Sequence, residues 1–99
     1  MGLENFRSYQ LALSFHKQCQ GLKLKGSLRD QLKRASESIV LNLAEGSAKP
    51  SPAERKRFYR MSLGSLREIQ AIFDLQEMTL LKVEADQLGA HLYKLCTFR

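Results

Sequence analysis

Apolar residues recur every three or four positions in four segments of the chain, which is the spacing of one face of an α-helix. The segments span about residues 5–19, 27–46, 52–78 and 83–97. No stretch of useful length alternates between apolar and polar residues as a strand does. Helices of this length with short links pack most simply side by side. The pattern therefore predicts an all-α fold, an antiparallel up-and-down four-helix bundle, with residues 1–99 as one domain.

The apolar face of each predicted helix gives the expected core. Gly64 interrupts this pattern in the middle of the third helix, where glycine costs roughly 1 kcal/mol relative to alanine. Such a glycine usually lets another backbone approach closely, and we expect that here. The predicted inner faces hold Phe6, Tyr9, Leu13 and His16, then Leu28, Leu32, Ala35, Ile39 and Leu43, then Phe58, Met61, Ser65, Leu66, Ile69, Ile72 and Phe73, and finally Ala85, Leu88, Leu92 and Leu95.

Three signals mark the predicted helix boundaries. Ser27, with Asp30 three residues later, resembles half of a capping box at the start of the second helix. Gly46 is expected to end that helix in the left-handed conformation, which glycine adopts without steric cost. Residues 51–54, Ser-Pro-Ala-Glu, combine an N-cap, a first-turn proline and the S-x-x-E pattern, so they predict the start of the third helix.

Positive charge is concentrated in the middle of the chain. The chain has 99 residues and a formal net charge of +6. Residues 23–67 contain eleven Lys and Arg and four Asp and Glu, a net of +7, whereas the remaining residues contain five and six, a net of −1. Such an asymmetry favours an anionic partner, and nucleic acid is the usual one.

Basic residues on the second helix and around the start of the third form the candidate nucleic-acid-binding set. Lys56 and Arg60 lie four positions apart and share a helix face, as do Arg57 and Arg60. Tyr59 lies among them and is expected to stack on a base or on an arginine. The alternative is that these basic side chains only keep the first helical turn soluble, or that they pair with acidic residues of a neighbouring subunit. The candidate residues are Lys33, Arg34, Lys49, Arg55, Lys56, Arg57 and Arg60.

A second group of polar residues lies beside the predicted core. Polar groups there are costly unless paired, so we expect a hydrogen-bonded set that holds the helices in register. The alternative is an acid/base pair of Glu45 with Glu68. Glu45 is further predicted to accept hydrogen bonds from backbone donors at the corner or at the N-terminus of the third helix. The expected structural motif comprises Ser38, Asn42, Glu45, Gly46, Gly64, Ser65 and Glu68.

No motif for enzymatic chemistry is present. The two histidines, His16 and His91, have Leu13 and Leu88 three residues before them, so neither forms the Glu-x-x-His pair of di-metal bundles. No H-E-x-x-H pattern, nucleophile elbow or phosphate-binding glycine loop occurs. The sequence therefore predicts a protein that is not an enzyme and that holds neither a metal nor a cofactor.

The sequence also predicts a cytoplasmic protein. No segment approaches the ~20 apolar residues that cross a bilayer, so no membrane partner is expected. The N-terminus lacks the charged region and apolar run of a signal peptide. Cys19 and Cys96 are far apart and without metal-ligand spacing, and we expect both to be buried free thiols.

Residues 30–69 carry a specific pattern of short motifs, and the match continues over nearly the whole chain. Phe6, Tyr9 and Ala12 extend the pattern into the first helix. The pattern resembles the bacterial four-helix-bundle family of 23S rRNA intervening-sequence proteins, also called S23-type proteins. Its motifs are Gln31-Leu32-Lys33-Arg34-Ala35, Ser38-Ile39, Asn42-Leu43-Ala44-Glu45-Gly46, Phe58 and Gly64-Ser65-Leu66-Arg67-Glu68.

The resemblance implies an up-and-down four-helix bundle that assembles as a ring-like homopentamer. The family is similar in fold to the accessory variability protein of diversity-generating retroelements, which binds nucleic acid and a reverse transcriptase through a basic surface. The implied partners are therefore further copies of the chain, nucleic acid, and a reverse transcriptase or another protein. Because the chain ends at Arg99, soon after the fourth helix, we expect no partner-binding extension.

Two functions follow from the residues and the resemblance together. The first is a non-enzymatic homo-oligomer that binds RNA or DNA through its basic surface. The second is a protein-interaction scaffold or an accessory subunit, for example of a reverse transcriptase, with no direct nucleic-acid role.

Overall fold

The computed structural model describes residues 2–97, so the expectation about the chain end at Arg99 lies outside the described residues. After a short 3₁₀ turn, four helices follow: α1 (Arg7–Gln20), α2 (Gly26–Ser47), α3 (Pro52–Leu75) and α4 (Lys82–Thr97). No strand occurs among residues 2–97. The prediction of an all-α four-helix protein is confirmed, and the helix bounds agree with the sequence pattern to within a few residues.

The four helices form an elongated body of about 40 × 21 × 21 Å. Each helix packs on the next one along the chain, and α4 also packs on α1. One apolar core therefore runs through the protein, and all four helices contribute to it. Its large, fully buried side chains are Phe15, Ile39, Leu43, Leu66, Ile69, Leu88 and Leu92.

The predicted inner faces need correction on all four helices: Leu28 of α2 and Leu95 of α4 are only half-buried, and the differences on α1 and α3 are larger. On α1 the buried residues are Ser8, Ala12, Phe15 and Cys19, whereas Tyr9, Leu13 and His16 are only half-buried. On α3 the predicted core residue Met61 is 47% exposed, and Phe58 and Ser65 are half-buried. Spacing identified the apolar stripe, but the angle at which neighbouring helices pack decided which part of each stripe is covered.

The start of α3 is as predicted, and the start of α2 is not. The Ser51 hydroxyl accepts a hydrogen bond from the Glu54 backbone N–H at 3.2 Å and donates one to the Glu54 carboxylate at 3.0 Å. The N-cap position of α2 is Lys25, without a side-chain cap, so the predicted capping box of Ser27 and Asp30 is wrong. The chain enters α2 through Gly26, whose φ of +62° lies in the left-handed region that favours glycine.

Gly46 and Gly64 have roles different from those predicted. Gly46 lies within α2, which continues to Ser47, so it is not a left-handed helix end. A Cβ at Gly46 would lie 2.8 Å from Tyr59 Cε1, and therefore this glycine allows α3 to pack closely. Gly64 is exposed, and a Cβ there would meet nothing within 4 Å, so the close approach predicted at Gly64 occurs at Gly46 instead.

No helix within residues 2–97 is both long enough and apolar enough to span a membrane.

Candidate nucleic-acid interface

The link between α2 and α3, residues 48–51, is held by an arginine from the first turns of α3. The Arg55 guanidinium Nη1 donates hydrogen bonds to the backbone carbonyls of Lys49 at 3.0 Å and Pro50 at 3.2 Å. These carbonyls follow the end of α2, where backbone acceptors lack partners within the helix. Arg55 therefore gives the corner a defined shape, and only part of its hydrogen-bonding capacity remains for a ligand.

Phe58 supports two of the predicted cations at this corner. The Lys49 ammonium lies 5.1 Å from the centroid of the Phe58 ring, and the Arg57 guanidinium carbon lies 6.0 Å from it. These distances are typical of cation–π contacts. Apolar spacing along α3 placed Phe58 in the predicted core, so its contribution to the basic corner was not predicted. An aromatic residue directly after three consecutive basic residues was the available signal.

Glu45 does not play its predicted role. Its carboxylate forms an ion pair with the Lys49 ammonium at 3.2 Å, four residues along the chain, and its side chain is 55% exposed. It accepts no hydrogen bond from a backbone donor among residues 2–97, so that prediction is wrong. The pair partly neutralises Lys49, and an exposed pair of this kind contributes about 0.3–0.5 kcal/mol.

Five of the seven predicted cations have no ionic partner in the described part of the chain, since only Lys33 and Lys49 form ion pairs. Arg34 lies near the middle of α2 and Arg55 binds backbone carbonyls, which leaves three such cations at this corner. Arg57 and Arg60 are exposed, Lys56 is half-buried, and none of them forms an ion pair within residues 2–97. Residues 45–60 carry five basic and two acidic side chains, a net of +3. We name residues 45–60 the basic corner. Its geometry suits phosphate groups, because several cations project from one turn of chain and one helix end.

Tyr59 is not available for stacking on a base. The residue is 7% exposed and packs against Phe6, with their ring centroids 6.0 Å apart. Burial raises the pKa of the Tyr59 hydroxyl, and the nearby Arg55 guanidinium partly opposes that shift. The expectation that Tyr59 stacks on nucleic acid is wrong, because the inner face of α3 includes this position.

Lys33 and Arg34 lie apart from the basic corner. Arg34 precedes the last residue of α2, Ser47, by thirteen positions, which is roughly 20 Å of helix. The Lys33 ammonium forms an ion pair with Glu37 at 3.4 Å. Arg34 lines a shallow cavity that Glu68 also lines. The structure therefore groups five of the seven predicted cations and leaves these two on another part of the surface.

The predicted polar set links α2 to α3. The Asn42 side-chain amide donates to the Ser38 carbonyl at 2.9 Å and to the Ser38 hydroxyl at 3.0 Å. The Ser65 hydroxyl donates to the Ser38 hydroxyl at 2.9 Å. Glu45 and Glu68 are both exposed and take no part in these bonds. The hydrogen-bonded set is thus present in Ser38, Asn42 and Ser65, and the structure offers no support for the acid/base pair.

The remaining polar and nucleophilic groups have structural surroundings. His16 Nδ1 lies 2.7 Å from the Ser36 hydroxyl, which donates to the Lys33 carbonyl at 3.1 Å, so these side chains join α1 to α2. Cys19 is buried and its thiol pKa is raised to about 12 by burial, whereas Cys96 is only half-buried, contrary to prediction. Residues 2–97 contain no group of three His, Cys, Asp or Glu side chains placed to hold a metal.

Comparison with known proteins agrees with the motif pattern. The profile of the family described as 23S rRNA-intervening sequence protein matches residues 5–96, which include nearly all of the four helices. No curated protein and no solved structure matches the chain significantly. Because the profile covers far more than half of the sequence, the chain belongs to the family of 23S rRNA-intervening sequence proteins.

Proposed function

We propose that this protein binds RNA or DNA through the basic corner, as a non-enzymatic cytoplasmic homo-oligomer. The observation that carries the proposal is the group of three cations, Lys56, Arg57 and Arg60, that have no ionic partner within residues 2–97. They project beside a corner whose shape is held by Arg55 and Phe58. Phosphate contacts of this kind supply affinity and orientation without reading sequence.

The proposed mechanism is charge neutralisation. Lys56, Arg57 and Arg60 contact phosphates directly, while Lys49 adds charge from above the Phe58 ring. Each phosphate contact releases condensed counterions, so the affinity falls steeply as salt rises. One corner offers only a few contacts, and several copies in one assembly combine them into useful avidity.

Exposed apolar side chains near the basic corner support self-association. Leu41 on α2 is 67% exposed and Met61 on α3 is 47% exposed. Gly64, which is exposed on α3, makes no close contact within the chain that would explain a glycine there. A second copy packed against this outer face of α2 and α3 would cover these positions. Five copies in a ring is the assembly that the resemblance implies.

The direct test is a double charge reversal, Lys56→Glu with Arg60→Glu. We expect the affinity for a fluorescein-labelled RNA hairpin or DNA duplex to fall at least tenfold in 50 mM salt, because two phosphate contacts become repulsive. Fluorescence anisotropy over a salt series measures both the affinity and its salt dependence. The matched control is Lys17→Glu with Lys23→Glu, which changes the net charge equally at exposed positions outside the corner. The proposal is contradicted if the affinity does not change with salt concentration, or if the two variants lose affinity equally.

The second candidate function is a protein-interaction scaffold or accessory subunit. Its support is the mixed character of the same surface, where exposed Met61 lies one residue from Arg60. In that case the basic corner binds an acidic protein, such as a reverse transcriptase or another polymerase subunit. Recovery of a protein partner without nucleic acid from nuclease-treated native cells favours this candidate over the first.

A further inference from the structure

The corner between α3 and α4 differs in character from the basic corner. Leu75, Leu80 and Val83 lie within nine residues there and are 73%, 66% and 75% exposed. Large apolar side chains exposed to this degree usually mark an interaction site when they are grouped. Exposure of all three at one corner is therefore unfavourable for a chain with nothing bound.

The charge at this corner is negative. Residues 74–86 contain four acidic side chains and one basic one, a net of −3. Among the described residues, Asp74, Glu77 and Glu84 form no ion pair. The whole protein has a net charge of +6, so the charge of this segment is opposite in sign to that of the protein. We name residues 74–86 the acidic corner.

A cavity of about 220 Å³ opens at the acidic corner. Its walls include the carboxylates of Asp74 and Asp86, with Phe73 and Met78 as apolar lining. Lys82, which also lines the cavity, forms an ion pair with Asp86 at 3.6 Å, and the Gln70 side-chain amide donates a hydrogen bond to the Asp86 carboxylate at 3.2 Å. Asp74 is therefore the carboxylate of this cavity that has no ion-pair partner within residues 2–97. A lysine or arginine side chain entering here would place its aliphatic part on the apolar lining and its charge beside Asp74.

We propose that the acidic corner is a docking surface for a basic amphipathic segment of a partner protein. The apolar face of that segment covers Leu75, Leu80 and Val83, and one of its cations enters the cavity beside Asp74. The two corners lie at the two ends of α3, whose 24 residues span about 36 Å. The protein would then hold a basic partner at one end and a polyanion at the other.

The probe is a fluorescein-labelled amphipathic peptide of leucine and lysine, titrated with the full-length protein and followed by fluorescence anisotropy. We expect saturable binding that Leu80→Ser with Val83→Ser weakens at least fivefold. Asp74→Asn with Glu77→Gln should weaken it by a similar factor. The matched control is Tyr93→Ser, at an exposed apolar residue of α4 outside both corners, which should change the affinity less than twofold.

Three results would overturn the proposal. The first is the absence of saturable binding, and the second is an equal loss in the Tyr93→Ser control. The third is sedimentation showing that Leu80→Ser with Val83→Ser dissociates the free protein, because a second copy would then be the occupant. Peptide binding that survives Lys56→Glu with Arg60→Glu shows that the acidic corner acts independently of the proposed nucleic-acid site, so failure of one proposal leaves the other standing.

Discussion

Gly46, Gly64 and Gly89 all lie within helices, but the space around each of them differs. A Cβ at Gly46 would press on the Tyr59 ring, a Cβ at Gly89 would lie 3.3 Å from Leu66 Cδ2, and a Cβ at Gly64 would meet open space. Helical spacing places a glycine on a face of its own helix. It does not show how near the neighbouring helix comes, which is why the close approach was predicted at Gly64 and is found at Gly46.

The two glycines of the family motif should respond in opposite ways to alanine. We expect Gly46→Ala to lower the unfolding free energy by about 1–3 kcal/mol, because the Tyr59 ring and the Phe58 Cβ at 3.0 Å must move. Gly64→Ala should raise it by up to about 1 kcal/mol, since alanine favours the helix and nothing obstructs it. Urea unfolding measures both. Stabilisation by Gly46→Ala would contradict the packing described for α2 and α3.

The buried thiol of Cys19 should make stability depend on pH. Burial raises its pKa to about 12 from an ordinary value of 9.0, so above pH 9 the unfolded chain loses the proton and the folded chain keeps it. The unfolding free energy should therefore fall by up to about 1.4 kcal/mol per pH unit between pH 9 and 12. Urea unfolding under reducing conditions tests this against Cys19→Ala, whose decline over the same range should be shallower. Parallel curves would show that Cys19 is not the cause.

At the level of helices, local sequence signals predicted the start of α3 correctly but not the start of α2. The S-x-x-E pattern at Ser51 produced the predicted cap because the hydroxyl and the N–H that it binds belong to the same turn. Ser27 has a similar pattern, yet α2 begins one residue earlier at Gly26, so the serine is already inside the helix. The residue at that start, Gly26, has a left-handed φ of +62°, which the capping-box pattern of Ser27 does not indicate.

Substitution of the two serines tests this difference. Ser51→Ala should lower the unfolding free energy by about 1 kcal/mol, because the Glu54 N–H loses its acceptor. Ser27→Ala should change it by less than about 0.5 kcal/mol, since Ser27 is exposed and provides no cap. Thermal unfolding followed by circular dichroism is sufficient for both. A loss at Ser27 as large as that at Ser51 would show that α2 is capped after all.

At the scale of the whole molecule, charge is separated along α3. The basic corner at its start has a net charge of +3, and the acidic corner at its end has a net charge of −3. The sequence showed the basic excess as a property of residues 23–67. Folding divided that excess, because Lys33 and Arg34 extend from the middle of α2 while the other five candidates surround one corner.

Self-association is the prediction that belongs to this scale. Leu41→Ser with Met61→Ser should shift the protein to lower mass in sedimentation velocity, because the proposed contact between copies loses its apolar side chains. The double substitution leaves the buried core untouched, so the helical content should stay the same. A control at another exposed apolar residue, Tyr93→Ser, should leave the mass unchanged. A wild-type protein that is monomeric at micromolar concentration would contradict the proposed homo-oligomer.

The sequence alone determined the four helices, the apolar stripe of α2, the cap of α3 and the family. These features depend on periodicity, on atoms a few residues apart or on a matching pattern of motifs. All of these can be recognised from the order of residues along the chain. The tertiary structure decided that Tyr59 is buried, that Phe58 supports cations, that Glu45 pairs with Lys49 and that Gly46 is the point of close approach. Those outcomes depend on the rotation and separation of packed helices, which set the position of each side chain relative to residues distant in sequence.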